Sequence, residues 1–359
     1  MTGWTPVCRS CGRDNPGTWS RCPACGGVQV LSAPADASLA PDPDADGLWR
    51  YRAALPPVPS EISLGEGGTP LIDCPRLGVY VKNETVNPTL SFKDRAMALG
   101  LSHARALGVR GVVAASTGNT AVSAAAYAAR AGLPCRVVCA ERAADGPKPA
   151  IARSLGAEVH AVAGDFSAAY AAAAEMEADG WYPLTTTFRN PYLTEAHRTI
   201  AYEIHARIGT PDWVLVPVGA GPLLAGIRHG FRALGGPMPR LVAVQAAACA
   251  PLATAWATGA PVTAARPEPT VAEAIADPLR GYEDEGALTL DAVRESGGTV
   301  VAVPDAEIRT AVARFARQEG LSLEAAAAAP LAALERLPVA PDARVVLLAT
   351  GHGAKETSP

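Results

Sequence analysis

Residues 87–95 read Asn87-Pro88-Thr89-Leu90-Ser91-Phe92-Lys93-Asp94-Arg95, and how this stretch folds decides how the rest of the chain is read. Pro88 marks a turn and Ser91 is a residue type that caps helices. Apolar residues then recur at helical spacing, from Phe92 through Ala96, Leu99 and Leu101 to Leu107. Lys93 therefore falls in the first turn of a helix, beside the positive end of its dipole. A cation is disfavoured there, so the amine is expected to titrate low, as a nucleophilic lysine requires. The alternative is a solvated surface lysine, the common fate of this residue type. Only four lysines occur, Lys82, Lys93, Lys148 and Lys355, so the candidates for a reactive amine are few.

Working outward, Gly65-Glu66-Gly67-Gly68-Thr69-Pro70-Leu71 is a glycine-rich turn upstream. Downstream, Ser116-Thr117-Gly118-Asn119-Thr120 follows an apolar strand and opens a helix. Backbone amides and short hydroxyls at a helix N-terminus make an anion site, suited to a carboxylate. The Asn119 amide can also hydrogen-bond a phenolate-type oxygen. Gly219-Ala220-Gly221 lies between a strand and a helix that carries Leu223, and such a turn presents amides to a phosphate. Near the C-terminus, Thr350-Gly351-His352-Gly353 closes another strand. Taken singly, each is an ordinary turn and His352 a loop histidine.

Between these turns, apolar runs bounded by Gly and Pro alternate with helical patterns. Strands are expected at 79–82, 112–115, 135–140, 158–162, 213–218, 241–245, 299–303 and 344–349. Helices are expected at roughly 92–107, 120–131, 147–155, 166–179, 194–208, 222–234, 305–318 and 324–336. This alternation predicts an α/β protein with two parallel or mixed sheets, each a three-layer α/β/α subdomain, and a ligand in the crevice at the strands' carboxyl ends.

The first 30 residues follow a different pattern. Cys8, Cys11, Cys22 and Cys25 form two CxxC pairs, each followed by glycine, Gly12 and Gly26. Each pair aims two thiolates at one point, and two pairs complete a tetrahedral set, so a closed, structural zinc ribbon is expected. A redox dithiol is the alternative. The other four of the eight cysteines, Cys74, Cys135, Cys139 and Cys249, are scattered and read as ordinary buried thiols. Residues 31–60 have the Pro- and Asp-rich composition of a linker, with Leu48, Trp49 and Tyr51 able to dock a short helix.

With 359 residues the chain has ample length for a large core. A net charge of −4 gives no electrostatic reason to expect nucleic acid. No run is apolar for the length of a membrane span and no signal peptide is apparent, so a cytoplasmic protein without a membrane partner is expected.

Lysine, Asn-bearing loop, glycine turn and Thr-Gly-His-Gly, in this order, resemble the fold-type-II pyridoxal-phosphate (PLP) enzymes, which are tryptophan synthase β-like, and most closely the threonine synthase family. The Gly-x-Thr-Pro-Leu entry and the segment Thr185 to Thr199, which includes Arg189-Asn190-Pro191-Tyr192-Leu193-Thr194-Glu195-Ala196-His197-Arg198-Thr199, extend the resemblance, as do Thr270–Ile275 and Glu319-Gly320. It covers nearly the whole chain, ribbon included. It implies a catalytic domain over 61–359, with a smaller subdomain of about 95–188 inserted in the larger, and a homodimer. It also implies that Lys93 carries PLP and serves as acid and base. Asn119 would contact the ring oxygen, and Gly219, Ala220, Gly221 and Leu223 the cofactor phosphate. Thr350 would face the ring nitrogen, and Ser116, Thr117 and Thr120 the substrate carboxylate. The implied reaction turns O-phospho-L-homoserine and water into L-threonine and phosphate.

There are departures. Pro222 lacks an N–H where the family usually donates, and Ala220 stands where these enzymes commonly carry Asn. Leu193 occupies a position where many have an Arg for the substrate phosphate. Arg189 or Arg198 could replace that charge; the competing reading puts both on a solvated helix face. These changes leave open a β-replacement enzyme or dehydratase acting on serine, phosphoserine or threonine. A non-catalytic sensing or scaffold member is the third reading.

Overall fold

The computed structural model describes residues 3–34 and 37–356. Ala35 and Asp36 of the expected linker, and the ends of the chain at 1–2 and 357–359, lie outside the described residues. The strands are β1 (Thr5–Cys8), β2 (Gln29–Ser32), β3 (Leu71–Cys74), β4 (Val79–Asn83), β5 (Gly111–Ala115), β6 (Cys135–Ala140), β7 (Glu158–Val162), β8 (Trp181–Pro183), β9 (Trp213–Pro217), β10 (Arg240–Ala246), β11 (Thr299–Val303) and β12 (Val345–Ala349). They divide between two compact units.

One unit comprises residues 1–68 and 93–199. Its four-stranded sheet, in the order β7-β6-β5-β8, is parallel throughout. Every residue of β5 is buried, as the short apolar run Gly-Val-Val-Ala-Ala requires of a strand covered on both faces. Helices Lys93–Leu107, Asn119–Ala131, Pro147–Ser154 and Phe166–Met176 supply the connections. Met97, Leu99, Leu101, Val112, Tyr127, Val137 and Leu184 meet in its core. The antiparallel pair β1–β2 belongs to the same unit. So does the 3-10 segment Gly47–Ala54, which buries Leu48, Trp49 and Tyr51 as the expected docking helix would.

The other unit comprises residues 69–92 and 200–359. Its six-stranded sheet runs β11-β10-β9-β12-β4-β3, parallel except for the edge strand β3. Helix Ala325–Leu334 lies in its core and is buried on almost every side, which an alanine-rich segment without a polar face must be.

Several boundaries differ from expectation. The helix expected at 194–208 is two, Pro191–Ala196 and Arg198–Ile208, meeting at His197. Pro191 opens the first, where its missing N–H costs nothing. The helix expected at 305–318 is α-helical over Asp305–Arg314 and ends in a π-turn over Phe315–Glu319. Strands β3 and β8 and helices Pro251–Thr258 and Glu283–Glu295 were not expected. No helix among the described residues is long and apolar enough to cross a membrane.

Candidate active site

In the first unit, helix Lys93–Leu107 starts on Lys93 itself. Ser91 is not its cap. The helix begins one residue later than the pattern implied, so the cap position falls on Phe92. Ser91 is held instead in an antiparallel bridge to Gly351, and its buried Oγ bonds to nothing among the described residues. Lys93 Nζ donates to Thr186 Oγ1 at 2.6 Å, and that oxygen lies 2.9 Å from Thr120 Oγ1.

Asn119 and Thr120 are the first two residues of helix Asn119–Ala131, and Gly118 precedes it in extended conformation. Ser116 Oγ accepts the Gly118 amide at 2.9 Å. The amides of Thr117 and Thr120 donate to no acceptor among the described residues. The loop thus keeps hydroxyls and amides together at a helix head, the donor set a carboxylate needs.

Of the expected residues, Lys93 and Thr120 are brought together, and the residue that joins them, Thr186, was missed. It is one of three consecutive threonines leaving β8. Thr185 Oγ1 accepts the Ala115 amide at 2.8 Å and ties this loop to the end of β5. The signal was present in the run Thr185-Thr186-Thr187 before Asn190-Pro191, but its partners are far away in sequence.

Both arginines are engaged by carboxylates. Arg198 is buried, its guanidinium 2.7 Å from Glu195 and 3.2 Å from the Ala54 carbonyl, with the Trp4 ring centre 4.8 Å away. Arg189 pairs with Glu177 and lies over the Tyr170 ring. Neither occupies a solvated helix face. Leu193 is a core residue seated on Gly100, where a Cβ would come within 2.6 Å of its Cδ2. His197 is buried too. Desolvation first, and then the charges of Lys93 and Arg95, hold its pKa well below the usual imidazole range, so its ring is neutral.

In the second unit, Gly219-Ala220-Gly221 caps helix Pro222–Leu234. Gly221 has φ +110°, and a Cβ there would lie 2.0 Å from Thr289 Oγ1. Thr289, from the unexpected helix Glu283–Glu295, donates to the Ala220 carbonyl at 2.6 Å and props the turn. The N–H groups of Gly219, Ala220, Gly221 and Leu223 donate to no acceptor among the described residues. Four such amides at the head of a 13-residue helix fit a phosphate group. Pro222, at the first helical position, is the one residue of the turn with no amide to offer.

Thr350 closes β12. Its carbonyl accepts the Phe92 amide at 3.0 Å, and the His352 amide donates to Leu90 at 3.1 Å. Leu90 has φ 62°, an uncommon conformation for a branched side chain. Two other lysines are committed to structure. Lys82 is fully buried, with Nζ 2.5 Å from Glu203 and 2.6 Å from Thr69 Oγ1, and Lys355 donates to the Thr89 carbonyl at 2.6 Å.

The Sγ atoms of Cys8, Cys11, Cys22 and Cys25 all lie within 4.8 Å of one another. Cys8 and Cys25 are 3.5 Å apart and Cys11 and Cys22 3.8 Å. Gly12 and Gly26 both turn through positive φ, 70° and 72°.

Residues 62–351 match the family described as pyridoxal-phosphate dependent enzyme. A threonine synthase of Methanosarcina acetivorans is 35% identical over 332 residues, 87% of this chain and 81% of the relative. One from Methanocaldococcus jannaschii is 38% identical over 332 residues, 86% of this chain and 81% of its own length. Among solved structures, maize serine racemase superposes with a TM-score of 0.70 over 79% of this chain and 88% of that one; at 20% identity it speaks to the fold alone. The chain therefore belongs to the pyridoxal-phosphate dependent enzymes, and within them to the threonine synthase family.

Proposed function

We propose that this chain converts O-phospho-L-homoserine and water to L-threonine and inorganic phosphate. The observation that carries the reading is the Lys93 amine at the head of its helix, hydrogen-bonded to the neutral hydroxyl of Thr186. Pyridoxal phosphate, when bound, supplies the electron sink that makes an amino acid's Cα and Cβ protons removable. Lys93 is the residue that holds it. Its Nζ, set by Thr186, takes the substrate's Cα proton and moves protons in the steps that follow. Ser116, Thr117 and Thr120 hold the substrate carboxylate, and Asn119 the cofactor's ring oxygen. The amides of Gly219, Ala220, Gly221 and Leu223 hold the cofactor's phosphate. Thr350 offers a neutral hydroxyl to the ring nitrogen, which a carboxylate would keep protonated. That choice favours elimination and replacement at Cβ or Cγ over transamination. Phosphate leaves from Cγ and water adds at Cβ.

Replacing Lys93 by Ala should abolish turnover while leaving the fold intact. Undiminished turnover in that variant would overturn the assignment.

A second reading, elimination or replacement on serine, phosphoserine or threonine, is favoured by one observation. Leu193 is core, and Arg189 and Arg198 are each already paired with a carboxylate.

The four-cysteine cluster is read as a structural zinc site. An ion bound tetrahedrally at about 2.3 Å from each sulfur separates its ligands by roughly 3.8 Å, close to the distances found here. Burial opposes ionisation at Cys8 and Cys22, yet neighbouring backbone amides and the other thiols of the cluster together outweigh it and lower both, while at Cys25 a backbone amide is outweighed by the other thiols and by burial, which raise it. Metal analysis should return one zinc per chain. Zinc-free protein with four freely titrating thiols would refute the site. A cytoplasmic homodimer completes the proposal and rests on the family resemblance.

A further inference from the structure

The cysteine cluster is joined to the loop that carries Thr186 by an unbroken run of polar contacts. Asn15 Nδ2 donates to Cys22 Sγ at 3.5 Å and to Gln29 Oε1 at 2.8 Å. Gln29 Nε2 donates to the Ser20 carbonyl at 2.6 Å and to Thr18 Oγ1 at 2.9 Å. Ser20 Oγ donates to Glu177 Oε2 at 2.6 Å, and the other oxygen of Glu177 accepts from Arg189 Nε. Arg189 is the last residue but one of the segment 184–190, in which Thr186 receives Lys93.

The other end of that segment is held from the same side. The Trp19 ring packs on Tyr182, ring centres 6.0 Å apart, and Tyr182 Oη is 2.7 Å from His103 Nδ1. His103 stacks in turn on Tyr192 at 3.8 Å. Asn190 Nδ2 donates to the Pro183 carbonyl at 2.8 Å and closes the base of the loop.

Bonds along this route are charge-assisted and shielded where they matter. Glu177 and Arg189 keep only 12% and 18% of their side-chain surface in solvent. Such pairs hold geometry better than exposed ones, and each is replaced poorly by water. A segment without regular secondary structure, carrying a hydroxyl that must meet an amine at 2.6 Å, needs such fixing. The segment's own backbone adds only local ties: the Thr187–Thr185 turn bond, the Leu184 bond to Val113 and the Arg189 amide's bond to Thr187 Oγ1.

We propose that Glu177 is a positioning residue, through which the cysteine-bearing ribbon fixes segment 184–190 and sets the Thr186 hydroxyl against Lys93. The ribbon is then part of the catalytic apparatus without touching substrate. This rests on the reading of Lys93 as the cofactor-holding amine, and not on which amino acid is turned over.

The test uses full-length, cofactor-loaded protein carrying Glu177→Gln and, separately, Ser20→Ala, which removes one hydroxyl and threatens the fold least. Hydrogen–deuterium exchange is followed on peptides covering 184–190 and on ribbon peptides. The pH midpoint of the cofactor's visible absorbance is read in the same samples as a report on Lys93. Exchange at 184–190 is expected to rise about tenfold in both variants, the worth of one charge-assisted bond. Ribbon peptides of Glu177→Gln should exchange as in the parent. The absorbance midpoint is expected to move by about half a unit or more, and to return towards the parent value in Glu177→Asp. Parental exchange at 184–190 in both variants would overturn the proposal, as would an unmoved midpoint or a uniform rise in exchange along the chain. None of these readings needs a substrate, so they stand or fall apart from the proposed reaction.

Discussion

The amide of Phe92 donates to the carbonyl of Thr350 at 3.0 Å. The residue immediately before Lys93 is thereby fastened to the end of the last strand, some 260 positions away in sequence by the numbering of the two residues. Beside it, Ser91 bridges Gly351, and Leu90 accepts from the His352 amide. The turn leading to Lys93 is thus fixed by the Thr-Gly-His stretch, and Leu90 at φ 62° is where the backbone bends to allow it.

That bend makes Leu90 a test of stored strain. A left-handed conformation costs a branched residue about 1 kcal/mol or more, and asparagine much less. Leu90→Asn is expected to unfold in denaturant at or above the parent midpoint, and Leu90→Val clearly below it. The reverse order would show that the bend is not strained.

Gly221 should tolerate no side chain. Its φ of +110° and the 2.0 Å approach to Thr289 Oγ1 leave no room for a methyl group. Gly221→Ala is expected to lose about 2 kcal/mol of stability and to bind pyridoxal phosphate at least tenfold more weakly. Absorbance titration of the apoprotein measures the affinity directly. Unchanged affinity would remove this turn from the cofactor's phosphate.

Thr186 is the partner of Lys93, so its hydroxyl should matter more than its shape. Thr186→Val keeps the volume and is expected to lower kcat about tenfold, while Thr186→Ser recovers most of it. Equal rates in Val and Ser variants would mean the bond has no part in turnover.

Two neutral histidines give the fold an acid limit. Burial brings His103 down to about 4, against about 6.5 for a free imidazole. Below pH 6.5 the unfolded chain takes up a proton that the folded ring refuses until about pH 4. Stability from this residue is therefore complete above pH 6.5. It falls by about 1.4 kcal/mol per unit as pH drops towards 4. His197, lowered by burial and by Lys93 and Arg95, acts in the same direction. His103→Gln should flatten the fall of unfolding free energy between pH 6.5 and 4, and an identical slope would count against a buried neutral ring.

The alternation of apolar runs with helical patterns was enough to read β4 to β7, β9 to β12 and the helices between them other than the two that separate β10 from β11, because parallel strands buried on both faces leave uninterrupted signals such as Gly111–Ala115. Short edge elements left none. Strand β8 is three residues ending in Pro, and β3 is four residues with an exposed Asp73. Helix Glu283–Glu295 opens on three acidic residues and contains Gly286, so its apolar stripe is broken in sequence and its Thr289 went unseen. Thr186 was hidden for another reason. Its partners lie 93 and 66 residues away, and a hydroxyl leaves no periodic trace. Arg198 reads from sequence either as a cation for the substrate's phosphate or as solvated, because a long charged side chain next to a helix start carries no sign of its surroundings. Only the fold reveals that Glu195, Ala54 and Trp4 enclose it.

The most direct measurement is of phosphate and threonine released together from O-phospho-L-homoserine by purified, cofactor-loaded protein. The account predicts equal amounts of the two, and neither from Lys93→Ala. Cofactor bound at Lys93 with no phosphate released would contradict it and move the assignment to serine, phosphoserine or threonine as substrate, and phosphate released without threonine would contradict the addition of water at Cβ.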